Sequence, residues 1–275
     1  MKHIFDLDQL KESQKYISKR FGNQARTAII LGTGLGDITA IVEIKKAISY
    51  NEIPNFPIST TESHKGELIL GKIGDQEVVI VSGRFHMYEG YSAAESTYII
   101  HVLHSIGIHR LLITNAVGGV NPHYEEGDIV LVTDHINFFP ENPLRGKNHA
   151  DLGPKFPDMS VAYDQDLIAK ATSAADQLGI TIKKGVYFGW PGPSLETPAE
   201  YRMIHIVGGD IVGMSTIPEV IVARYYEMEV ICFSIVSNVC FPKSKIKYTT
   251  VADVIAVVTA SVHKLQPLIK HMLVH

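Results

Sequence analysis

Arg84-x-His86-x-Tyr88 places polar side chains two residues apart, the spacing that turns all three to one side of an extended chain. An arginine fork beside an imidazole suits a phosphate oxyanion, because the guanidinium offers paired donors in one plane. Gly83 and Gly90 bracket the segment and favour a loop, although a surface arginine and a satisfied histidine would read the same way. Gly32-Thr33-Gly34-Leu35-Gly36 follows a β-branched run, so its glycines permit tight turning and close backbone approach while Thr33 adds a hydroxyl. No G-K-[ST] follows and the final interval of G-x-G-x-x-G is missing, so neither nucleotide motif is present. A purely structural turn is the competing reading.

Asn115-Ala116-Val117-Gly118-Gly119 ends a buried strand, where open α/β sheets carry their ligand loops, and its backbone amides suit a further anionic oxygen. Glu196, in Gly192-Pro-Ser-Leu-Glu-Thr197, either faces a ligand or favours the start of the helix that follows. Asn238 closes the last apolar strand, and its carboxamide both donates and accepts, as reading a ring of mixed polarity requires. Its alternative is an end-of-strand turn residue.

The elements that must position these groups alternate between strand and helix. Asp6 or Asp8 caps an opening helix with Leu10, Ile17 and Phe21 on one face, and Thr27–Leu31 is the first strand. Leu68 to Val81 reads as a hairpin around Gly74-Asp75. Ser92-x-x-Glu95 is a capping box opening a helix with Ile99, Leu103 and Ile106 on one stripe, ended by Gly107. Leu111–Thr114 and Ile129–Thr133 are buried strands. Thr133 to Asp158, with four prolines, is a long irregular segment of the kind that usually serves function. Asp164 caps a helix running to Gly179, Thr197-Pro-Ala-Glu200 opens another, Val230–Ser237 is an apolar strand, and Thr250 to about Leu273 is a closing helix with Pro267 as a kink. The result is an α/β layer structure with a mixed sheet, since the hairpin is antiparallel.

Composition narrows the function. With 25 basic and 29 acidic residues in 275, the net charge of −4 gives no cationic face for nucleic acid or a membrane surface. A composition 45% hydrophobic and 20% charged is that of a globular domain, and a chain of 275 residues can bury about 75% of its unfolded surface, which excludes disorder and a small disulfide scaffold. Cys232 and Cys240 lack C-x-x-C spacing and are expected to be small buried hydrophobes in a reducing, cytoplasmic setting. The 13 histidines show no H-E-x-x-H or Cys/His grouping, so no metal is expected, and there is no G-x-S-x-G elbow. No export signal and no membrane span is expected, and no linker or repeat divides residues 1–275, which read as one domain.

In order, Gly32–Gly36, His64-Lys-Gly66, Gly83–Gly90, Thr114–Gly119, Asp134-His-Ile-Asn137, Gly192–Thr197 and Val212-Gly-Met-Ser-Thr-Ile-Pro-Glu-Val220 resemble the trimeric purine nucleoside phosphorylases, from about Thr27 to the final helix. The resemblance implies a single phosphorylase-type α/β sandwich, a central mixed sheet flanked by helices. It implies an enzyme without cofactor that uses inorganic phosphate as co-substrate to split a purine nucleoside into free base and α-ribose 1-phosphate. By position Thr33, His64, Arg84, His86, Ser215 and the Ala116 backbone would hold phosphate, while Tyr88 and Met214 would line the ribose. Glu196 and Asn238 would hold the base, with Leu195 and Val212 beside it, so that His86, Glu196 and Asn238 carry the catalytic roles. A homotrimer is implied, with Phe156 of the long loop reaching into a neighbouring subunit's site.

The chain departs from the family pattern in three places: Thr33 stands where a serine is usual, Leu195 where an aromatic often stacks, and Val251 where a histidine commonly meets the 5′-hydroxyl. Glu196 accepting from N1–H and Asn238 donating toward N7 or O6 would select 6-oxopurines such as inosine and guanosine. Val251 keeps a second reading open, a phosphorylase of 5′-deoxy-5′-methylthio nucleosides, because an apolar side chain packs a methylthio group and cannot bond a hydroxyl.

Overall fold

The computed structural model describes residues 5–57, 65–147, 149 and 151–274; His64 lies outside them. Of the two candidate caps, Asp6 is the one that closes α1 (Leu7–Phe21), accepting from the amides of Asp8 and Gln9, and the helix buries Leu10, Ile17 and Phe21 as one stripe. After β1 (Thr27–Leu31) and a short 3-10 turn comes β2 (Glu43–Ser49), then the hairpin β3 (Glu67–Ile73) and β4 (Gln76–Ser82), turning at Gly74 with φ of 59°. β2 was not anticipated: it is an exposed edge strand carrying Glu43, Lys45 and Lys46, so it shows no apolar alternation.

The helix expected from Ser92 is two, α2 (Ala93–Ser96) and α3 (Tyr98–Ser105). Thr97 breaks it by donating its hydroxyl back to the Ala93 carbonyl at 2.8 Å. β5 (Arg110–Gly119) and β6 (Ile129–Asn137) both outrun their expected ends, so Asn115–Gly119 is strand rather than loop and the irregular segment begins only after Asn137. α4 (Gln165–Leu178) is capped by Asp164 and ended by Gly179, as expected; β7 (Ile182–Gly189), with two lysines in its first half, was not anticipated. α5 (Pro198–Ile206) opens on the Thr197/Glu200 capping box, and β8 (Ile211–Gly213), α6 (Ile217–Tyr225), β9 (Glu229–Val239) and α7 (Val251–Val274) complete the chain.

The sheet runs β2-β3-β4-β1-β5-β8-β7-β6-β9, and β9 also pairs with β5. One end is therefore an open sheet and the other closes on itself as β5-β8-β7-β6-β9. β1 lies parallel to β4 and β5, β9 parallel to β5, and β7 parallel to β6 and β8, while β2–β3, β3–β4, β5–β8 and β6–β9 are antiparallel. The expected mixed sheet with flanking helices is borne out, and its closure is an addition.

Contrary to the expectation of no membrane span, α7 is by length and composition apolar enough to cross a bilayer. Here Val258, Val262, Leu265, Leu268, Ile269 and Met272 are buried on one face, and the helix packs on α4 and β9. It continues unbroken through Pro267. Cys232 and Cys240 are free thiols and buried, as expected.

Candidate active site

The pairing of β5 leaves an opening. β1 stays beside it only to Ile113 and β8 joins only at Gly118, so between them β5 has β9 on one side and nothing from the sheet on the other. The chain leaving β1 passes this gap. A Cβ on Gly32 would lie 2.7 Å from both the Cα of Asn115 and the carbonyl of Thr114, so only glycine permits the approach. A cavity of about 410 Å³ opens there.

At one end of the cavity the groups suit an anion. Arg84 leaves β4 through Gly83, whose φ is 127°, and is buried; its Nη1 donates to Ser215 Oγ at 2.8 Å and its Nε pairs with Glu219 Oε1 at 2.9 Å. His86 is buried too, with Nδ1 2.6 Å from Glu89 Oε1 and its ring stacked on Tyr88 at 4.5 Å between centroids. Burial lowers the His86 pKa, the Glu89 hydrogen bond works against that, and Arg84 adds to the lowering. A neutral ring that gives Nδ1–H to Glu89 has Nε2 as its acceptor.

Ser215 is held by strain. Thr216, fully buried, has φ 73° and ψ −58°, and Ile217 N bonds to Ser215 O at 2.8 Å, which is a γ-turn of the rare hand. For a β-branched residue this costs of order 1–3 kcal/mol and persists only when over-determined. Asn115 Nδ2 donates to Thr216 Oγ1 at 2.8 Å and Ser215 N donates to Tyr187 OH at 3.2 Å. The turn leads directly into α6, whose second residue is Pro218.

At the other end stand Glu196 and Asn238. Glu196 comes just before the Thr197 cap and is buried; burial raises its pKa, opposed by hydrogen bonds from its own backbone and from Tyr201. Asn238 is re-aimed by a bulge. The β5–β9 register shifts between Val117, opposite Val236, and Gly118, opposite Asn238, and both Ser237 and Asn238 then line the cavity. Ser237 Oγ donates to Asn238 Oδ1 at 2.8 Å, and Asn238 Nδ2 donates to Cys240 Sγ at 3.1 Å.

Thr33, Arg84, His86, Tyr88, Ala116, Leu195, Glu196, Val212, Met214, Ser215, Asn238 and Val251 all line this one cavity. Ala116 lies in β5, not in a loop, at the stretch of strand facing the gap. Phe156 is elsewhere: it is 83% exposed and borders a separate hollow with His135, Arg145 and Lys155. Asn115, Tyr201, Ser237 and Val254 also line the cavity without having been singled out as site residues. Tyr201 sits inside a helix whose cap alone was legible, and Ser237 reaches the cavity only through the bulge. Among the described residues no three His, Cys, Asp or Glu side chains gather as metal ligands would.

The sequence profile of the phosphorylase superfamily matches residues 26–274. Purine nucleoside phosphorylase 1 of Bacillus subtilis is 46% identical over 231 residues, covering 84% of this chain and 85% of the relative. The chain belongs to the purine nucleoside phosphorylases. Like its relatives in that family it is an enzyme. The fold agrees over nearly the whole length: the crystal structure of the Schistosoma mansoni purine nucleoside phosphorylase in complex with adenosine has a TM-score of 0.91 at 35% identity, with 98% of each chain covered. Isoform 2 from the same organism, in complex with cytosine and ribose-1-phosphate, has a TM-score of 0.92 at 36% identity, covering 98% of this chain and 96% of that one.

Proposed function

We propose that this cavity carries out the phosphorolysis of 6-oxopurine ribo- and deoxyribonucleosides such as inosine and guanosine. The observation that carries the reading is the pairing, in one cavity, of an anion end built from Thr33, Arg84, His86 and Ser215 with a carboxylate and carboxamide end, Glu196 and Asn238. Inorganic phosphate, held by those four residues with the Ala116 backbone and His64, attacks C1′ as the C1′–N9 bond breaks. The bonding pair leaves with the purine, which takes up a proton, and the sugar departs as α-ribose 1-phosphate. Charge develops at both ends of the breaking bond, so the anion beneath the sugar and donors to the base both act most strongly in the transition state.

Tyr88, Met214 and Val251 flank the sugar, while Leu195 and Val212 provide apolar contact for the base. Asn238 donates through Nδ2 toward N7 or O6, and Glu196, ionised, accepts from N1–H, which a 6-oxopurine has and a 6-aminopurine lacks. The chain acts as one domain, needs phosphate and no cofactor, works in the cytoplasm and assembles as a homotrimer with Phe156 supplied to the neighbour.

Base release from inosine, with and without phosphate and with the sugar product identified, tests the reaction. Phosphate-dependent hypoxanthine and ribose 1-phosphate are expected, and hydrolysis to free ribose would refute it. Asn238→Asp tests the specificity: it should shift preference toward adenosine, and an unchanged inosine/adenosine rate ratio counts against the assignment. One observation favours a second reading. Val251 and Val254 both line the cavity, an apolar pair that suits a 5′-methylthio group. A clear preference for inosine over 5′-deoxy-5′-methylthioinosine disposes of it.

A further inference from the structure

Consecutive side chains of an extended chain point to opposite sides, yet Ser215 and Thr216 bring their hydroxyls together, with Ser215 Oγ 3.1 Å from Thr216 Oγ1. The turn at Thr216, with φ of 73°, folds the second hydroxyl back onto the first. Donors converge on the pair. Arg84 Nη1 donates to Ser215 Oγ at 2.8 Å, and Asn115 Nδ2 donates to Thr216 Oγ1 at 2.8 Å. Asn115 is itself buried, and its amide also reaches Cys232 Sγ at 3.4 Å. The Ser215 backbone is fixed separately, through its N–H to Tyr187 OH at 3.2 Å.

We infer that Thr216, held by Asn115, is a positioning residue that sets the direction of the Ser215 hydroxyl hydrogen, aiming it into the cavity at phosphate. The inference deepens the proposed reading and rests on it, since it requires Ser215 to hold phosphate.

The direction follows from counting hydrogens. The two hydroxyls share one hydrogen bond and carry two hydrogens between them. If Ser215 gave its own to Thr216, the Thr216 hydrogen would be left over, because Thr216 is fully buried and its other side-chain partner among the described residues, Asn115 Nδ2, is a donor. A buried donor left without an acceptor costs more than an ordinary hydrogen bond gains. If Thr216 gives its hydrogen to Ser215, every hydrogen has a place. Ser215 Oγ then accepts from both Arg84 and Thr216. With both lone pairs taken, its own hydrogen is turned to the cavity, which Ser215, only partly buried, lines. An anionic oxygen arriving there only accepts, and it meets a donor already in place. Without the Thr216 hydroxyl the serine can rotate, and a lone pair then faces the anion for part of the time. The strained turn thus converts a freely rotating hydroxyl into a fixed donor.

Thr216→Val keeps the β-branched shape and deletes the hydroxyl, whereas Thr216→Ser keeps the hydroxyl. Calorimetric titration with inorganic phosphate, in the absence of nucleoside, reads the anion end directly. Thr216→Val is expected to weaken phosphate binding about tenfold and Thr216→Ser to hold it within about threefold. Inosine KM at saturating phosphate should stay within about threefold in both. The effect has to pass through the serine: Ser215→Ala should weaken phosphate about tenfold, and adding Thr216→Val to it should cost less than about twofold more. Additive losses would overturn the inference, because a Thr216 that merely shapes the turn harms the site with or without the serine hydroxyl. Thr216→Ser binding phosphate as poorly as Thr216→Val would overturn it as well. Where Thr216→Val does not fold, Thr216→Ala supplies the same deletion with less bulk and completes the cycle. Unchanged phosphate affinity in Ser215→Ala would refute the reading of Ser215 as a phosphate ligand and the inference with it, whereas a weakened Ser215→Ala beside an unchanged Thr216→Val refutes the inference alone.

Discussion

Arg84 is the charge on which the anion end depends, and it is only 2% exposed. A buried guanidinium is tolerated because Glu219, also buried, sits 2.9 Å from its Nε. The pair is close to neutral, so an anion bound as proposed would meet an arginine whose position is fixed but whose field is partly cancelled. Glu219→Gln preserves the shape and an acceptor oxygen while removing the countercharge. Losing one partner of a buried pair costs about 3 kcal/mol or more, so the variant should melt well below the wild type in phosphate-free buffer. Phosphate then supplies the missing negative charge, and its addition should raise Tm more in the variant than in the wild type. Calorimetry with and without phosphate checks this, and an equal phosphate-induced shift in the two proteins would mean that Glu219 is not electrically coupled to the site.

At the scale of elements, the β9 bulge and Gly118 act together. The bulge brings Ser237 and Asn238 to the cavity, and the missing Cβ of Gly118 admits the sulfur that holds Asn238. In Gly118→Ala the added methyl would overlap Cys240 Sγ, so the sulfur or the strand must shift. Inosine KM should rise about tenfold, with phosphate KM changed far less, because Thr33, Arg84, His86 and Ser215 stand on other elements and only the Ala116 backbone shares this strand. Steady-state kinetics with each substrate varied in turn measures the split, and equal effects on both would point to a general collapse of the strand. This bulge carries no mark in the sequence: Val230–Ser237 reads as an apolar strand, and nothing in the residue types says where its register slips. Capped helices are the opposite case. Asp164, Thr197 and Gly179 act within one turn of the chain, so α4 and the start of α5 were legible from local chemistry. β2 and β7 were not, since their lysines obscure the alternation, and closure of β9 onto β5 depends on pairing between segments more than a hundred residues apart. Most of the cavity lining was legible nonetheless, because loops at strand ends carry its glycines, arginine and histidine in compact motifs. Tyr201 was not, as it looks like core until its neighbours are known.

At the scale of the whole molecule, acid should weaken the fold through a histidine remote from the cavity. His101 of α3 is fully buried, with Nδ1 2.8 Å from Tyr226 OH just after α6, its ring 4.1 Å from that of Phe5, and Nε2 without a partner among the described residues. Burial, then the nearby His104 and His149, lower its pKa from 6.5 to about 3. The unfolded chain therefore binds a proton there that the folded chain refuses, and stability falls as pH drops from about 6.5 toward 3. His101→Gln should flatten that part of the stability-versus-pH curve, measured by denaturant unfolding, and an unchanged slope would assign the acid sensitivity to other groups.

Assembly is the remaining question at this scale, and Phe156 decides it. A phenyl ring 83% exposed contributes little to the fold of its own chain. If it serves a neighbour's site, Phe156→Ala should leave Tm within a degree or two yet raise inosine KM about tenfold by removing an apolar wall. Mixing sharpens the test. An Arg84→Ala chain has a defective anion end but an intact Phe156, whereas a Phe156→Ala chain has an intact anion end and lacks the ring. In a mixed trimer the first chain's ring completes the second chain's cavity, so unfolding and refolding the two together should give more activity at low inosine than the sum of the separate preparations. Activity that merely adds, or sedimentation as a fully active monomer, would show that each chain works alone.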